Sequence, residues 1–167
     1  MSDENGLPQA HYERFDGAAE FRAAVDRLLA LDGRELRIFD PDLSALQLDT
    51  PGRIAQLTGF LAVSRARRLY IALHDTEHLT RRCPRMMDLI ARYAHAIEVN
   101  RTEEQIRDVQ DGFLVLDNRH YLRRPVARLF RGALGMHDEA EALAMRSRFA
   151  EIWSASFPAV SGTTIGL

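Results

Sequence analysis

Lysine is absent from this sequence of 167 residues, and its 22 strongly basic residues are all arginine. Without a lysine amine no Schiff base can form, which excludes pyridoxal-phosphate and lysine-aldolase chemistry. The P-loop that holds nucleotide triphosphates also requires a lysine and is excluded with them. Any anion bound by this chain must therefore be met by guanidinium groups, backbone amides or helix N-termini.

Cysteine and long apolar runs are also scarce. A single cysteine, Cys83, excludes an intrachain disulfide and suits a reducing compartment. No apolar run approaches the ~20 residues of a membrane span, and the first residues, MSDENG, lack the features of a signal peptide. With 46% hydrophobic residues and a net charge of −2, the composition is that of one folded domain. We expect a soluble, cytoplasmic protein without a membrane partner.

Helical and strand-like periodicities alternate through the first two thirds of the chain. Strands are predicted over 36–39, 69–73, 96–99, 113–116, 119–122 and 126–130, and helices over 18–31, 51–65, 85–93 and 138–156. This order predicts a single α/β layered domain with a mixed, partly parallel sheet flanked by helices. We expect a mobile N-terminal arm over 1–15, the domain over 16–157 and a C-terminal tail over 158–167 that docks or dimerises.

Polar residues follow the predicted strands and form the candidate ligand-binding set. They are Asp40 and Asp42, His74 and Asp75, Asn100 and Arg101, and Asp117. In open α/β sheets the carboxyl edge of the strands is where ligands bind. Two alternatives stay open. Turns attract Asp and Asn for backbone reasons alone, and Asp117 leaves the cluster if its strand runs in the opposite direction.

Residues 74–78 read His-Asp-Thr-Glu-His, the inverted zincin pattern. That chemistry needs both histidines one turn apart on a continuous helix, so that both face one zinc ion. Because His74 ends a strand-like run, we interpret these residues as a polar turn and predict neither a metal site nor a cofactor. A hydrolase that uses His74 with Asp75 or Asp117 as an acid–base pair remains the enzymatic alternative.

Five arginines and no acidic residue occur between positions 119 and 131: Arg119, Arg123, Arg124, Arg128 and Arg131. Such a segment could hold a phosphate or a nucleic-acid backbone. The pI of about 6.3 argues against a dedicated nucleic-acid binder. Acidic residues of the final predicted helix can also neutralise the segment, so paired or solvated arginines are the simpler interpretation.

The stretch Asp111-Gly-Phe-Leu-Val-Leu-Asp117 and the residues after it, up to Pro125, resemble the motif region of the phospholipase D-like superfamily. More closely, the chain resembles an uncharacterised bacterial domain of that type, through 37–43, 73–76 and 164–167. The resemblance covers most of residues 17–167 and implies one half of a phospholipase D-like enzyme. It also implies a homodimer, since one-motif relatives pair two halves across a two-fold axis. Some relatives are fused to an acetyltransferase domain, so the resemblance also implies an acetyltransferase as a partner.

The active superfamily motif is H-x-K-x-x-x-x-D, with a histidine nucleophile and a phosphate-holding lysine. If Asp117 occupies the aspartate position, Gln110 occupies the histidine position and Gly112 the lysine position. The resemblance therefore implies a catalytically inactive domain used for binding or assembly. A small anionic ligand is expected in the old cleft, held by Arg101, Arg123 and Arg124, with Asp40, His74 and Asp75 as polar lining.

Overall fold

The computed structural model describes residue 6 and residues 8–160. The strands are β1 His11–Asp16, β2 Glu35–Asp40, β3 Arg68–Leu73, β4 Ile97–Thr102, β5 Gly112–Leu116, β6 His120–Arg124, β7 Arg131–Met136 and β8 Ser156–Val160. The helices are α1 Ala18–Leu29, α2 Pro51–Ala62, α3 Glu77–Arg82, α4 Pro84–Arg92 and α5 Glu139–Ser154. Two short 3₁₀ turns occupy Ser44–Leu46 and Glu104–Ile106.

All eight strands described join one sheet, in the order β1-β7-β6-β5-β2-β3-β4-β8. Strands β2, β3 and β4 are parallel, and every other neighbouring pair is antiparallel. This is the mixed α/β sheet that the sequence predicts. We call the edge at which β2, β3 and β4 end the carboxyl edge. Because β5 runs antiparallel to β2, it begins at the carboxyl edge and ends at the opposite, amino edge.

Helices cover both faces of the sheet. Apolar residues of α1, α2 and α4, such as Phe21, Leu57 and Leu89, pack with the sheet in the larger core cluster. On the other face Phe149 and its neighbours from α5 pack on a smaller cluster around Phe113. Central strands that are buried on both faces have continuous apolar sequences, and for this reason β5 could be predicted from the sequence. In the part of the chain that the structure describes, no helix combines the length and apolarity that crossing a bilayer requires.

The outer strands differ from the expectation. Residues 11–15, expected within a mobile arm, belong to β1 and pair with β7 from His11↔Met136 to Asp16↔Arg131. The first residues of the expected tail, 158–160, pair with β4 as part of β8, while 161–167 lie outside the described residues. The strand predicted over 126–130 is a loop, and the following residues form β7 instead. Helix α3 also lies where only a polar turn was expected.

Strand β7 escaped recognition because its sequence, RGALGM, is rich in glycine. The packing requires both glycines. A Cβ atom at Gly132 would collide with the carbonyl oxygen of Arg123, and one at Gly135 would collide with the ring of Tyr121. The low strand propensity of this segment is therefore a consequence of close contacts with its neighbours.

Candidate functional site at the carboxyl edge

A buried ion pair between Asp40 and Arg124 lies at the centre of the carboxyl edge. Both side chains are only 2% exposed, and Oδ1 of Asp40 accepts from Nη2 of Arg124. Oδ2 of Asp40 accepts from the backbone N–H of Leu43 at 2.7 Å and of Asp42 at 3.2 Å. Burial raises the pKa of the Asp40 carboxyl, whereas the Arg124 guanidinium and these N–H groups act in the opposite direction.

Arg124 is also fully engaged. Its Nη1 donates to the carbonyl oxygen of Ala127, and its guanidinium carbon lies 4.7 Å from the centre of the Phe21 ring. A buried charge with these partners stabilises the local structure. Arg124 therefore fixes the carboxyl edge, and it also belongs to the lining of the cleft described below.

Gly112 lies beside this ion pair, at the start of β5. A Cβ atom at position 112 would lie 3.0 Å from Nη2 of Arg124 and 3.0 Å from Oδ1 of Asp40. Asp40 and Arg124 come from strands on either side of β5, so they meet across the glycine. The ion pair thus occupies the space that a larger side chain at position 112 would enter.

Both ring nitrogens of His74 are committed to hydrogen bonds. Nε2 lies 2.6 Å from the carbonyl oxygen of Val109, and Nδ1 lies 2.6 Å from Oγ1 of Thr102. A carbonyl only accepts, so Nε2 carries the proton and Nδ1 accepts from the threonine hydroxyl. The ring also stands edge-on to Phe39, with 5.3 Å between the ring centres. His74 is therefore a buried link between β3, β4 and the loop before β5.

Asp75 is exposed and does not serve as the partner of His74. Its Oδ1 accepts from the backbone N–H of Glu77 at 2.8 Å, at the start of α3. Since α3 begins only at Glu77, His74 and His78 do not share a helix, and the zincin arrangement is not formed. The acid–base pair required by the hydrolase alternative is likewise not assembled.

Three further candidates connect neighbouring segments. Asn100 donates from Nδ2 to Oγ of Ser156 at 2.9 Å and so links β4 to β8. Arg101 donates from Nε to the carbonyl oxygen of His74 at 3.3 Å. Asp42 accepts at Oδ1 from the backbone N–H and the hydroxyl of Ser44, at 2.9 and 2.6 Å. These are the backbone-fixing roles that turn residues commonly have.

Asp117 lies at the amino edge, away from the rest of the set. It adopts a left-handed conformation with φ of 54°, and its Oδ1 accepts from the backbone N–H groups of Arg34 and Glu35, both at 2.8 Å. The alternative that its strand runs in the opposite direction is the one that the structure bears out. The motif aspartate therefore fixes the start of β2 and takes no part in the carboxyl-edge site.

The arginines between positions 119 and 131 do not form one surface. Successive strand residues point to opposite faces of a sheet. Arg124 accordingly lies against α1, whereas Arg123 faces the side of α5, 3.6 Å from Asp111. Arg119 belongs to the turn at the amino edge, and Arg131 approaches Asp16 at 3.6 Å.

A cleft remains open beside the ion pair. It has a volume of about 450 Å³, and its lining includes Arg22, Asp42, Ser44, Gln47, Gln110 and Arg128. Among the residues described, Arg22 and Arg128 form no ion pair, and both are exposed. Gln110 is held by a 2.8 Å hydrogen bond from its Nε2 to the carbonyl oxygen of Arg107.

No sequence signal pointed to Arg22, because an exposed arginine on α1 resembles any solvated helix charge. Arg128 was visible only as one member of the arginine-rich stretch. The cleft joins them because α1 and the loop after β6 both reach the carboxyl edge.

Comparison with solved structures identifies the fold. Nuc, a phospholipase D family member from Salmonella typhimurium, is 12% identical with a TM-score of 0.66, over 92% of this chain and 100% of Nuc. TrmBL2, an archaeal chromatin protein described as having a novel mode of DNA binding, is 12% identical with a TM-score of 0.64. That match covers 89% of this chain but only 55% of TrmBL2, so the chain spans about half of that protein.

Phosphatidylserine synthase from Haemophilus influenzae is 14% identical with a TM-score of 0.59, over 95% of this chain and 42% of the synthase. The fold is therefore phospholipase D-like, as the sequence predicted. The chain belongs to the family described as Domain of unknown function (DUF7931), whose profile matches residues 17–161. A comparison with curated proteins found no sequence match.

Proposed function

We propose that this chain is a catalytically inactive phospholipase D-like domain that binds a small anion in the cleft beside Asp40 and Arg124. The observation that carries the proposal is the packing of the buried ion pair against Gly112. The resemblance places this glycine where active members of the superfamily have the motif lysine. With Gln110 in the histidine position, no group there can accept a phosphoryl group, because an amide is not a nucleophile of that kind.

The charges around the cleft support an anionic ligand. The charge of Asp40 is compensated by Arg124. The other charged groups of the cleft are the two guanidinium groups of Arg22 and Arg128 and the single carboxylate of Asp42. Asp42 is itself engaged by Ser44. Guanidinium groups bind phosphate and carboxylate oxygens in bidentate fashion, so two of them facing one cleft favour a small phosphorylated or carboxylated molecule.

An activity assay tests the catalytic half of the proposal. We expect the purified protein to hydrolyse bis(p-nitrophenyl) phosphate no faster than buffer. Turnover that Gln110→Ala abolishes, and that the matched control Gln105→Ala on an exposed turn retains, would contradict it.

A binding assay tests the other half. Inorganic phosphate and pyrophosphate are titrated by calorimetry, with thermal unfolding as a second readout. A ligand at ~100 times its Kd stabilises the folded state by about 2.7 kcal/mol. We expect one site, and a loss of binding in Arg22→Gln and Arg128→Gln. The exposed control Arg82→Gln should bind as the wild type does. No heat and no shift in Tm with either anion would rule the site out.

We further propose that the domain assembles as a homodimer, which rests on the resemblance to one-motif relatives. Light scattering after size-exclusion chromatography distinguishes a dimer from the 19.0 kDa monomer. A monomer throughout the accessible concentration range would contradict this assembly without affecting the anion site.

A further inference from the structure

The face of the sheet that carries α5 is only partly covered. Helix α5 packs on β5 and β6, and beyond it a groove of about 920 Å³ lies over β6, β7 and β1. We call it the β7 groove, because residues of β7 form its floor. Residues of the neighbouring strands β1 and β6 lie on either side. In register, Tyr12 and Tyr121 flank Gly135, and Arg14 and Arg123 flank Ala133.

The small floor residues create the depression. Alanine and glycine leave room above β7 that larger side chains would fill, and the Tyr121 ring already leans over Gly135. Tyr12 is 57% exposed, although it is aromatic and lies in a strand. Val126 and Leu129 of the loop before β7 also line the groove and are exposed. Exposed aromatic and aliphatic side chains around one concavity are typical of a ligand site.

Two arginines border the floor, Arg14 on β1 and Arg123 on β6. Arg14 is exposed and forms no ion pair among the residues described. Nε of Arg123 is buried without a hydrogen-bond partner, and its nearest carboxylate, Asp111, is held on both oxygens by Arg148. Two interstrand spacings put the backbones of Arg14 and Arg123 about 10 Å apart, so both guanidinium groups can reach one carboxylate above Ala133.

The remaining charges of the groove limit what can bind. Asp16 lies 3.6 Å from Arg131, and Glu20 accepts from the backbone N–H of Asp16. Burial raises the pKa of Tyr121 to about 12, and the nearby carboxylates of Asp138, which caps α5, and Glu141 act in the same direction. Acidic groups at the rim repel a polyanion such as a nucleic-acid backbone, whereas a single negative charge between Arg14 and Arg123 is attracted by two guanidinium groups.

We propose that the β7 groove binds a small organic carboxylate with a flat apolar body. Its carboxylate lies between Arg14 and Arg123 above Ala133, and its apolar body lies on Tyr12, Val126 and Leu129. The site is independent of the anion cleft, because Arg123 and Arg124 point to opposite faces of the sheet. The expected ligands also differ, since the groove adds an apolar requirement that the cleft lacks.

The test uses 2-naphthoate as the probe and its neutral analogue 2-naphthamide as the matched control ligand. We expect one saturable site for 2-naphthoate by calorimetry, with affinity for the amide at least about tenfold weaker because the charge-assisted bonds are lost. Amide resonances of Ala133 and Gly135 should shift in a ¹H–¹⁵N spectrum during the titration. Inorganic phosphate should not displace the probe, which separates this site from the cleft.

Variants locate the site. Arg14→Gln changes an exposed side chain and should weaken 2-naphthoate binding about tenfold or more, whereas Arg82→Gln on α3 should not. Ala133→Leu fills the floor and should abolish binding of both probes, with retained circular dichroism as the check on folding. Equal affinity for acid and amide, wild-type affinity in Arg14→Gln, or no binding up to the solubility of the probe would each overturn the proposal.

Discussion

At the scale of single residues, the most consequential interaction is the ion pair of Asp40 and Arg124. Removing one partner of a buried pair leaves an uncompensated charge, which costs about 3–5 kcal/mol. We expect Arg124→Met to lower the free energy of unfolding by that amount in urea denaturation. The exposed control Arg82→Met should stay within about 0.5 kcal/mol of wild type.

The double variant Asp40→Asn with Arg124→Met measures the interaction between the two side chains apart from the contribution that each makes alone. Because the two side chains share one interaction, the double variant should lose less stability than the sum of the single variants. Additive losses would show that the two residues act independently, contrary to the geometry.

His120 makes the stability of the protein sensitive to acid. Its ring is buried at the amino edge, and its Nδ1 accepts from the backbone N–H of His137 at 3.1 Å. Burial lowers the pKa of His120 to about 4, and nearby His137 and Arg119 act in the same direction while Asp117 opposes them. The unfolded chain takes up this proton near the ordinary pKa of 6.5. Stability is therefore lost as the pH falls from about 6.5 towards 4.

Urea denaturation at pH 7 and pH 4.5 measures this loss. Each proton taken up only by the unfolded chain lowers the free energy of unfolding by about 1.4 kcal/mol per pH unit, so His120 should account for about 2–3 kcal/mol of the loss between pH 7 and pH 4.5. His120→Gln keeps an acceptor for the His137 N–H but cannot be protonated in this range, so its acid-dependent loss should be smaller by that amount. An unchanged dependence on pH in the variant would assign the effect to other groups.

At the scale of elements, β7 shows how a neighbouring strand sets a sequence requirement. Gly132→Ala places a methyl group against a backbone carbonyl that cannot rotate away, so we expect it to cost about 1–3 kcal/mol, as overpacking does. Gly59 in α2 is the matched control, because a Cβ atom there meets nothing within 4 Å. Gly59→Ala should instead stabilise the protein by about 0.5–1 kcal/mol. Thermal or chemical unfolding distinguishes the opposite signs.

Sequence periodicity predicted the elements whose burial is regular, and it failed where burial is not. Strands β2 to β5 were predicted from their apolar residues, and the main helices from their amphipathic spacing. Strand β6 was predicted because the turn at Asp117-Asn118 leads into a partner strand. Strand β1 buries only Phe15 of its six residues, β7 is rich in glycine, and β8 is mostly exposed. Strands of this kind, two of which (β1 and β8) lie at the edges of the sheet, lack the apolar pattern on which the prediction depends.

The candidate site was predicted only in part for a related reason. Asp40 and His74 were correctly placed at the carboxyl edge, since that follows from strand direction alone. That Arg124 reaches Asp40 across Gly112 depends on the order of three strands, which no local pattern contains. The cleft arginine Arg22 comes from a helix more than a hundred residues before Arg128, and only the assembled fold brings them together.

At the scale of the whole molecule, we expect that the histidine and lysine of the superfamily motif cannot be introduced together at positions 110 and 112 without loss of stability. The double variant Gln110→His with Gly112→Lys should remain inactive on bis(p-nitrophenyl) phosphate and should be less stable than wild type, because a side chain at 112 enters the space of the ion pair. Phosphodiesterase activity in this variant, with wild-type Tm, would contradict that expectation.

The strands at the two margins of the sheet, β1 and β8, come from opposite ends of the described chain. Seven interstrand spacings separate them, a span of about 34 Å before twist is considered. Fluorophores attached at His11 and Val160 would therefore report the integrity of every strand between them, since the loss of any intervening pairing changes their separation.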